Sequence, residues 1–367
     1  MSAASSALME CPDVQIELDS AFETCDHALR GFASPFNEFL WSPQNRNNLQ
    51  QTVVDGVGKV KNVVVRYDQP ILPSAVQTGT VSEDINCTAT TQRGDLTASY
   101  TIDEDAVLYI EEKMRWNDWA RTCRSNPEII TRKIMLMMRA LREATYAKNA
   151  TDFVSNAMWG EYSNIVTSDT ASFNVTQATQ ELVVRTLRSG TTDEVSPFTM
   201  QTIQQALLQT NYCGAPFVVG GNTLHSYFQR MQSGCCANQG IDLSGIMAQF
   251  GIAVSWDKYL QSALGTPNLS IAILPGALQM LYYNHAEPFA PAANAAGVTI
   301  GTNYEEFVIT DPVSGMPMNL TLNINCKDIH IFLSTNQKLV ALPQDMYNPS
   351  DEMSGVRFVN KIRVTNS

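Results

Sequence analysis

The strongest local pattern in the chain spans residues 126–159, which read NPEIITRKIMLMMRALREATYAKNATDFVSNAMW. Asn126 is a suitable N-cap, Pro127 takes the first helical position, and Glu128 suits the positive end of the helix dipole. No glycine or proline follows before Trp159. At 1.5 Å per residue, the stretch predicts a helix about 45 to 50 Å long. A helix of that length needs a long partner, which a flat sheet or a second subunit would provide.

This predicted helix has an apolar stripe and a basic side. Residues on the stripe recur at spacings of three and four, and they are Ile130, Ile134, Met137, Met138, Leu141 and Thr145. The basic side carries Arg132, Lys133, Arg139, Arg142 and Lys148. These cations are candidates for contact with nucleic acid, and a solvated helix surface is the plainer interpretation.

Residues 60–102 change to the pattern of strands. Residues 63–67 read VVVRY, and in residues 96–102 apolar and polar side chains alternate with the period of a half-buried strand. Between them, residues 77–95 are rich in Thr, Ser and Gly, and two-stranded ribbons are marginal in water. The pattern predicts a long hairpin-like excursion that docks on a neighbouring subunit; a mobile surface insertion is the alternative.

Residues 195–300 are depleted of charge. They hold five charged side chains, although charged residues make up 16% of the whole chain. Depletion of charge is typical of the buried centre of an interface, so this stretch predicts tight self-association. A larger core rich in Gln and Asn is the alternative. The five residues are Arg230, Asp242, Asp257, Lys258 and Glu287.

The remaining patterns give further strands and one more helix. Strands are predicted at 215–219, 251–255 and 269–274, with a helix at 223–231 that Asn222 would cap. Residues 307–309, 320–324 and 329–333 alternate again around a turn at 311–315, which predicts an antiparallel sheet rich in hairpins.

Several classes of protein are disfavoured by composition and spacing. With 36 acidic and 24 basic residues the net charge is −12, which disfavours a dedicated binder of phosphate backbones. The uncharged stretch 259–286 is interrupted by Pro267 and Pro275, so we expect no membrane span. The eight cysteines and four histidines have no metal-ligand spacing, and no Gly-x-Ser-x-Gly motif is present. We therefore expect free thiols, no cofactor, no metal and no enzymatic activity.

The order of these parts resembles the Hong Kong 97 fold of tailed-phage major capsid proteins, over essentially the whole chain. The phrases PFVVGGNTL at 216–224 and IAILPGA at 271–277 look like the strand and helix starts of that family's axial domain. The resemblance implies an α+β fold with an N-terminal arm at 1–60 and an extended β-hairpin loop at 61–104. It further implies a peripheral domain at 105–212 with a spine helix at about 126–159, an axial α/β domain at 213–300, and closing strands of the peripheral domain at 301–367.

The resemblance also implies a function. The chain would be a major capsid protein that assembles as hexamers and pentamers of an icosahedral shell around double-stranded DNA, without sequence-specific contacts. It would be assembled in the host cytoplasm and remain in the virion. Expected partners are further copies of the chain, a separate scaffolding protein, a portal and decoration proteins. An encapsulin-like compartment and a tail-tube or portal subunit are the alternatives.

Two sets of residues follow from this interpretation. The first set is expected between subunits, and it comprises Arg66, Tyr67, Arg93, Asp95, Tyr100, Tyr282 and Tyr283. The second set is expected to form a basic face toward the shell interior, and it comprises Arg132, Lys133, Arg139 and Arg142.

Overall fold

The computed structural model describes the larger part of the chain in segments. These are residues 31–45, 50–55, 60–67, 96–103, 107–115, 126–159, 175–178, 181–185, 187–189, 192–194, 216–232, 253–283, 304–324, 328–341 and 359–365. The predicted interface residues Arg93 and Asp95 lie outside these segments.

Four helices occur in the described segments: α1 (Pro35–Trp41), α2 (Asn126–Ser155), α3 (Asn222–Gln232) and α4 (Lys258–Leu264). The strands up to the long helix are β1 (Gln50–Asp55), β2 (Val60–Tyr67), β3 (Leu96–Asp103) and β4 (Leu108–Arg115). Those between α2 and α3 are β5 (Val175–Ala178), β6 (Glu181–Arg185), β7 (Leu187–Ser189), β8 (Thr192–Glu194) and β9 (Phe217–Gly220). The rest are β10 (Ala253–Trp256), β11 (Leu269–Ile273), β12 (Leu278–Tyr282), β13 (Tyr304–Thr310), β14 (Pro317–Ile324), β15 (Asp328–Thr335), β16 (Gln337–Ala341) and β17 (Val359–Thr365).

The strands form three larger sheets and two small pairs. An antiparallel sheet has the order β13-β14-β15-β4, and a mixed six-stranded sheet has the order β10-β9-β11-β17-β6-β5. A third, antiparallel sheet has the order β1-β2-β3. The remaining pairs are β12 with β16 and β7 with β8. The fold therefore combines helices with largely antiparallel sheets, in agreement with the α+β class that the resemblance implied.

Pairing over long sequence distances changes two groupings that the sequence indicated. The hairpin β2-β3 is confirmed, but β1, which the sequence assigned to the arm, adds a third strand to it. Residues 359–365 were grouped with the closing strands of the peripheral domain. The structure places them as β17 between β11 and β6, in the sheet that holds the predicted axial strands.

The long helix α2 contributes to two hydrophobic cores. Its first half packs Ile134, Met138 and Leu141 against the four-stranded sheet, where Leu320 and Ile331 are fully buried. The predicted apolar stripe is thus confirmed. Burial of each such side chain stabilises the fold by roughly 1.5 to 3 kcal/mol.

The second half of α2 enters the other core. Ala150 and Phe153 pack with Phe36 of α1, Leu260 of α4 and Ile271 of β11. The helix thereby joins the four-stranded sheet to the six-stranded sheet. It ends at Ser155, before the predicted Trp159.

Two glycines allow α3 to start close to β11. A Cβ at Gly221 would lie 2.0 Å from the carbonyl oxygen of Pro267, and Gly220 has a φ of 144° beside the backbone of Ser270. Only a residue without a Cβ fits this approach. The glycine pair in the segment 216–224 is therefore required by the close approach of these two backbone segments. None of the helices within the described segments is long and apolar enough to span a bilayer.

Candidate assembly surfaces

The sheet β1-β2-β3 is fixed to the rest of the chain through one end. Val63 and Ile102 pack with Leu281 of β12 and Val340 of β16 in a small buried cluster. At the same end, Lys338 Nζ donates to the Thr101 carbonyl at 2.5 Å. The Asn336 side chain likewise donates to the Asp103 carbonyl at 2.9 Å.

The opposite end of this sheet carries the connection between β2 and β3. There Arg66 pairs with Thr97 and Tyr67 with Leu96, and residues 68–95 join the two strands. Strands of eight residues span about 27 Å. The predicted excursion is thus a three-stranded sheet that contacts the rest of the chain near Val63 and Asp103.

Three tyrosines predicted to lie between subunits make contacts inside this chain. The Tyr100 hydroxyl donates to the Ala341 carbonyl at 3.2 Å, and the Tyr282 hydroxyl donates to the carboxamide oxygen of Asn319. Tyr283 packs beside the cluster of Val63 and Ile102. They connect the β1-β2-β3 sheet, the β12-β16 pair and the four-stranded sheet. Their role between subunits remains a prediction, as does that of Arg66 and Tyr67.

One face of the four-stranded sheet is covered by α2, and the other carries exposed aromatic and charged groups. Along β4, half-buried and exposed positions alternate, and Tyr109 is 62% exposed. The Tyr109 ring stacks on Phe332 of β15, with centroids 5.3 Å apart. Lys113 binds Asp328 at 3.0 Å on the same face. In the part of the chain that the structure describes, β4 is the last strand of its sheet.

The charges of α2 are largely matched within the chain. Lys133 binds Glu112 at 2.7 Å, Arg139 binds Glu143 at 3.0 Å, and Lys148 binds Asp152 at 2.6 Å. The exposed positions described along α2 are instead mostly small and uncharged, and they are Arg132, Leu136, Ala140, Ala144, Ala147, Thr151 and Ser155.

The prediction for Arg142 is wrong. Its side chain is fully buried, and Nη1 donates to Oδ1 of Asp311 at 2.7 Å. Burial of a guanidinium is tolerated because a buried carboxylate neutralises it. Arg142 is therefore not available on a basic face, while Arg132, Lys133 and Arg139 remain predicted members of it.

The Arg142–Asp311 pair is the centre of a polar cluster between α1, α2 and the turn 311–315. The second Asp311 oxygen accepts from the backbone N–H and the hydroxyl of Ser314. Burial raises the pKa of Glu38 on α1, and the charges of Asp257 and Asp311 raise it further, against lowering contributions from the Ser34 backbone and Arg142. Burial also raises the pKa of Tyr146 well above its usual range.

Asp257 fixes the N-terminal segment to α4. It caps α4 by accepting from the Leu260 N–H at 2.8 Å. Its other oxygen accepts from the Ser34 hydroxyl at 2.5 Å and from the Phe36 N–H at 3.1 Å. Asn149 of α2 donates to Asn37 at 2.8 Å beside this contact. Residues 34–45 of the predicted arm therefore belong to the core. The sequence of this segment shows only short helical patterns, and these did not indicate its burial.

Two charged side chains of the charge-depleted stretch, Asp257 and Lys258, make contacts within the chain. Asp257 is fully buried, and the Lys258 ammonium lies 3.9 Å from the centroid of the Phe32 ring. Trp256, at the end of β10, is 43% exposed. Within the described residues, no group of three His, Cys, Asp or Glu side chains could hold a metal ion.

Comparisons with known proteins find similarity to solved structures of phage capsids. No protein-family model and no curated protein sequence matches the chain. The capsid structure of the cyanophage P-SCSP1u shares 11% identity at a TM-score of 0.40, covering 88% of this chain and 91% of that one. The capsid asymmetric unit of cyanophage A-1(L) shares 12% identity at a TM-score of 0.37, with coverages of 90% and 92%. The mature capsid of bacteriophage PhiM1 shares 10% identity at a TM-score of 0.35, with coverages of 86% and 84%.

Proposed function

We propose that this chain is the major capsid protein of a tailed phage, a non-enzymatic subunit that assembles into a closed shell around double-stranded DNA. The observation that carries the proposal is the three-stranded sheet β1-β2-β3. It is fixed at one end by Val63, Ile102 and the contacts of residues 101–103, and it carries residues 68–95 at the other. In our proposal this sheet, the projecting sheet, extends toward a neighbouring subunit, which covers it.

The order of the parts supports the same proposal. The segment 34–45, the projecting sheet, the long helix on a four-stranded sheet and the six-stranded sheet follow in the order of the Hong Kong 97 fold. In our proposal α2 is the spine helix, the four-stranded sheet belongs to the peripheral domain, and β9, β10 and β11 belong to the axial domain. The charge-depleted residues 195–300 would then lie around the axes of hexamers and pentamers.

The proposed partners follow from this assignment. Further copies of the chain cover the projecting sheet, a separate scaffolding protein guides curvature, and a portal and decoration proteins complete a virion assembled in the host cytoplasm. Because the α2 cations Lys133, Arg139 and Lys148 are matched by carboxylates, DNA would be enclosed by the shell and not gripped by this helix.

Expression of the full chain, alone and with the products of neighbouring genes, tests the proposal. Negative-stain electron microscopy and light scattering should show closed shells of uniform diameter. Rings of fixed copy number would point to a portal or tube subunit. A small oligomer under all conditions, with a candidate scaffold present, would overturn the proposal.

A further inference from the structure

The outer edge of β4 is a long row of backbone groups at the end of a sheet. The strand is eight residues long, and the strand order places β15 on one side of it and no described strand on the other. Such an edge is a template for another strand, and proteins that keep an edge monomeric usually shorten it, bend it or place charges along it. The sequence of β4, LYIEEKMR, carries charges of both signs, which can pair with those of a second copy.

We propose that β4 pairs antiparallel with β4 of a second copy of this chain, with Glu112 facing Glu112 across a two-fold axis. This inference rests on the proposed self-assembly and names one contact through which it occurs. The pairing joins two four-stranded sheets into one of eight strands, with the exposed faces of both copies on the same side.

Charge and side-chain complementarity favour this register. With Glu112 at the axis, Glu111 faces Lys113 of the second copy twice, Tyr109 faces Arg115 twice, and Ile110 faces Met114 twice. Opposite charges and an arginine beside an aromatic ring are favourable cross-strand pairs. The two Glu112 side chains at the axis are each neutralised by Lys133 of their own chain at 2.7 Å.

Neighbouring registers that keep the two faces aligned are less favourable. Moving the axis to Glu111 places two exposed acidic groups opposite each other and brings Lys113 to Tyr109. Moving it to Lys113 keeps one opposite-charge pair, Glu111 with Arg115, but places two ammonium groups opposite each other and puts Tyr109 and Ile110 beyond the end of the partner strand. Like charges directly opposite destabilise a strand pair. This self-complementarity favours a second copy over a different protein as the occupant of the edge.

Crosslinking through an introduced cysteine tests the pairing directly. In the proposed register, Glu112→Cys places two thiols on directly opposed residues, within the range that a disulfide bridges. Mild oxidation of the full chain should give a covalent dimer well above the background of the eight native cysteines. Arg115→Cys is the matched control on the same strand, because its two copies would lie about 20 Å apart. Equal dimer yields in wild type, Arg115→Cys and Glu112→Cys would overturn the pairing.

Charge reversal tests the register. In the Glu112→Cys background, Glu111→Lys should lower the yield of dimer about tenfold, because two lysines then face each other twice. Adding Lys113→Glu should restore the yield, although the intrachain contact of residue 113 with Asp328 becomes repulsive. Restoration therefore reports the contact between copies. Failure of the double variant to recover, with an unchanged circular dichroism spectrum, would overturn this register.

The outcomes separate this inference from the proposed function. Closed shells formed by a Glu112→Cys variant that does not crosslink would leave the capsid proposal standing and remove the β4 contact. Efficient crosslinking of the Glu112→Cys variant, in a protein that never forms shells, would support the β4 contact and overturn the capsid proposal.

Discussion

At the scale of single residues, the buried pair Arg142–Asp311 shows where charge patterns along the sequence mislead. Periodicity placed Arg142 on the basic side of α2, next to residues that are indeed at the surface. Its partner is 169 positions away and lies at the start of a turn, so no local pattern predicts the pairing. The exposed stripe of α2 is consequently less basic than its composition indicates.

Replacing Arg142 by Met should destabilise the subunit by about 3 to 5 kcal/mol, because Asp311 is left charged and buried without its partner. Urea unfolding of the unassembled subunit measures the change. Lys133→Met is the matched control, since it removes a cation from a partly exposed pair on the same helix and should cost less than about 1 kcal/mol. Similar losses for the two variants would contradict the central role of the buried pair.

Glu38 should make the stability of the subunit fall as the pH rises. Its pKa in the folded chain is raised above 4.5, chiefly by burial, so the folded state favours the protonated carboxyl. That contribution is complete below the unfolded pKa and is lost as the pH rises through the folded pKa. Glu38→Gln, which stays neutral, should therefore melt at a higher temperature than wild type at pH 7.

The difference between Glu38→Gln and wild type should shrink toward pH 4, where both side chains are neutral. Melting temperatures measured from pH 4 to 8 check the sign. A variant that melts below wild type at pH 7 would show that the charged form of Glu38 is stabilised by Arg142, and that burial is the smaller effect.

At the scale of elements, the sequence predicted what depends on local periodicity. The long helix, the hairpin β2-β3, the strand at 269–273 and the hairpins after residue 304 all appear close to their predicted bounds. What it could not provide is the partner of each strand. The pairings of β1 with β2 and of β17 with β6 follow from burial across the whole fold, because each short strand carries no signal that specifies its neighbour.

The end of α2 is another local feature that the sequence hides. The Met158 N–H binds the Phe153 carbonyl and the Ala157 N–H binds the Val154 carbonyl, with Ala157 at a φ of 46°. This is a Schellman motif with alanine at the position that glycine usually takes. The helix therefore stops at Ser155 without a glycine or proline to announce it.

Ala157→Gly should stabilise the subunit by about 1 kcal/mol, because glycine adopts the left-handed conformation without the strain of a Cβ. The same substitution at the exposed position Ala147 in the middle of α2 should destabilise it by about 1 kcal/mol. Thermal or urea unfolding of the two variants measures both changes in stability. If both substitutions changed the stability in the same direction, α2 would not end in the Schellman motif at Ala157.

Asp257→Ala should release the segment 31–45 from the core. Three donors, the N–H groups of Leu260 and Phe36 and the Ser34 hydroxyl, lose their acceptor, and hydrogen bonds to charged groups contribute about 1.5 to 3 kcal/mol each. Limited chymotrypsin digestion should then cleave after Phe36 or Phe39, sites that are buried in the wild type.

Asn222→Ala is the control for this experiment, because it alters the exposed start of α3 and leaves the segment 31–45 untouched. Cleavage at Phe36 or Phe39 in both variants would indicate a general loss of stability. Protection in both would mean that the aromatic contacts of Phe36 with Phe153 and of Phe39 with Phe217 suffice to hold the segment.

At the scale of the whole molecule, α2 makes the two larger sheets one body, since a single rigid helix supplies Met138 to one core and Phe153 to the other. Charge depletion in residues 195–300 predicted self-association but not which surfaces meet. Tyr100, Tyr282 and Tyr283 contact other sheets inside the chain, and their role between subunits stays a prediction. The β4 edge became visible only when the strand order was known.

Two electrostatic effects oppose each other when copies of this chain meet. Each copy carries a net charge of −12, so copies repel, while pairs such as Glu111 with Lys113 attract over a few ångströms. Exposed pairs contribute little, and charge is scarce in residues 195–300, so repulsion should be the larger effect. Raising NaCl from about 0.05 M to about 0.5 M, which shortens the Debye length severalfold, should therefore lower the protein concentration at which assembly begins.

Light scattering against protein concentration measures that threshold. If screening is the cause, the effect should level off once the Debye length is below about 5 Å, whereas salting-out of apolar surface would continue to grow with salt. A threshold that rises with salt would mean that ion pairs dominate the contacts between copies, and that the neutral stretch 195–300 is buried within the subunit rather than between subunits.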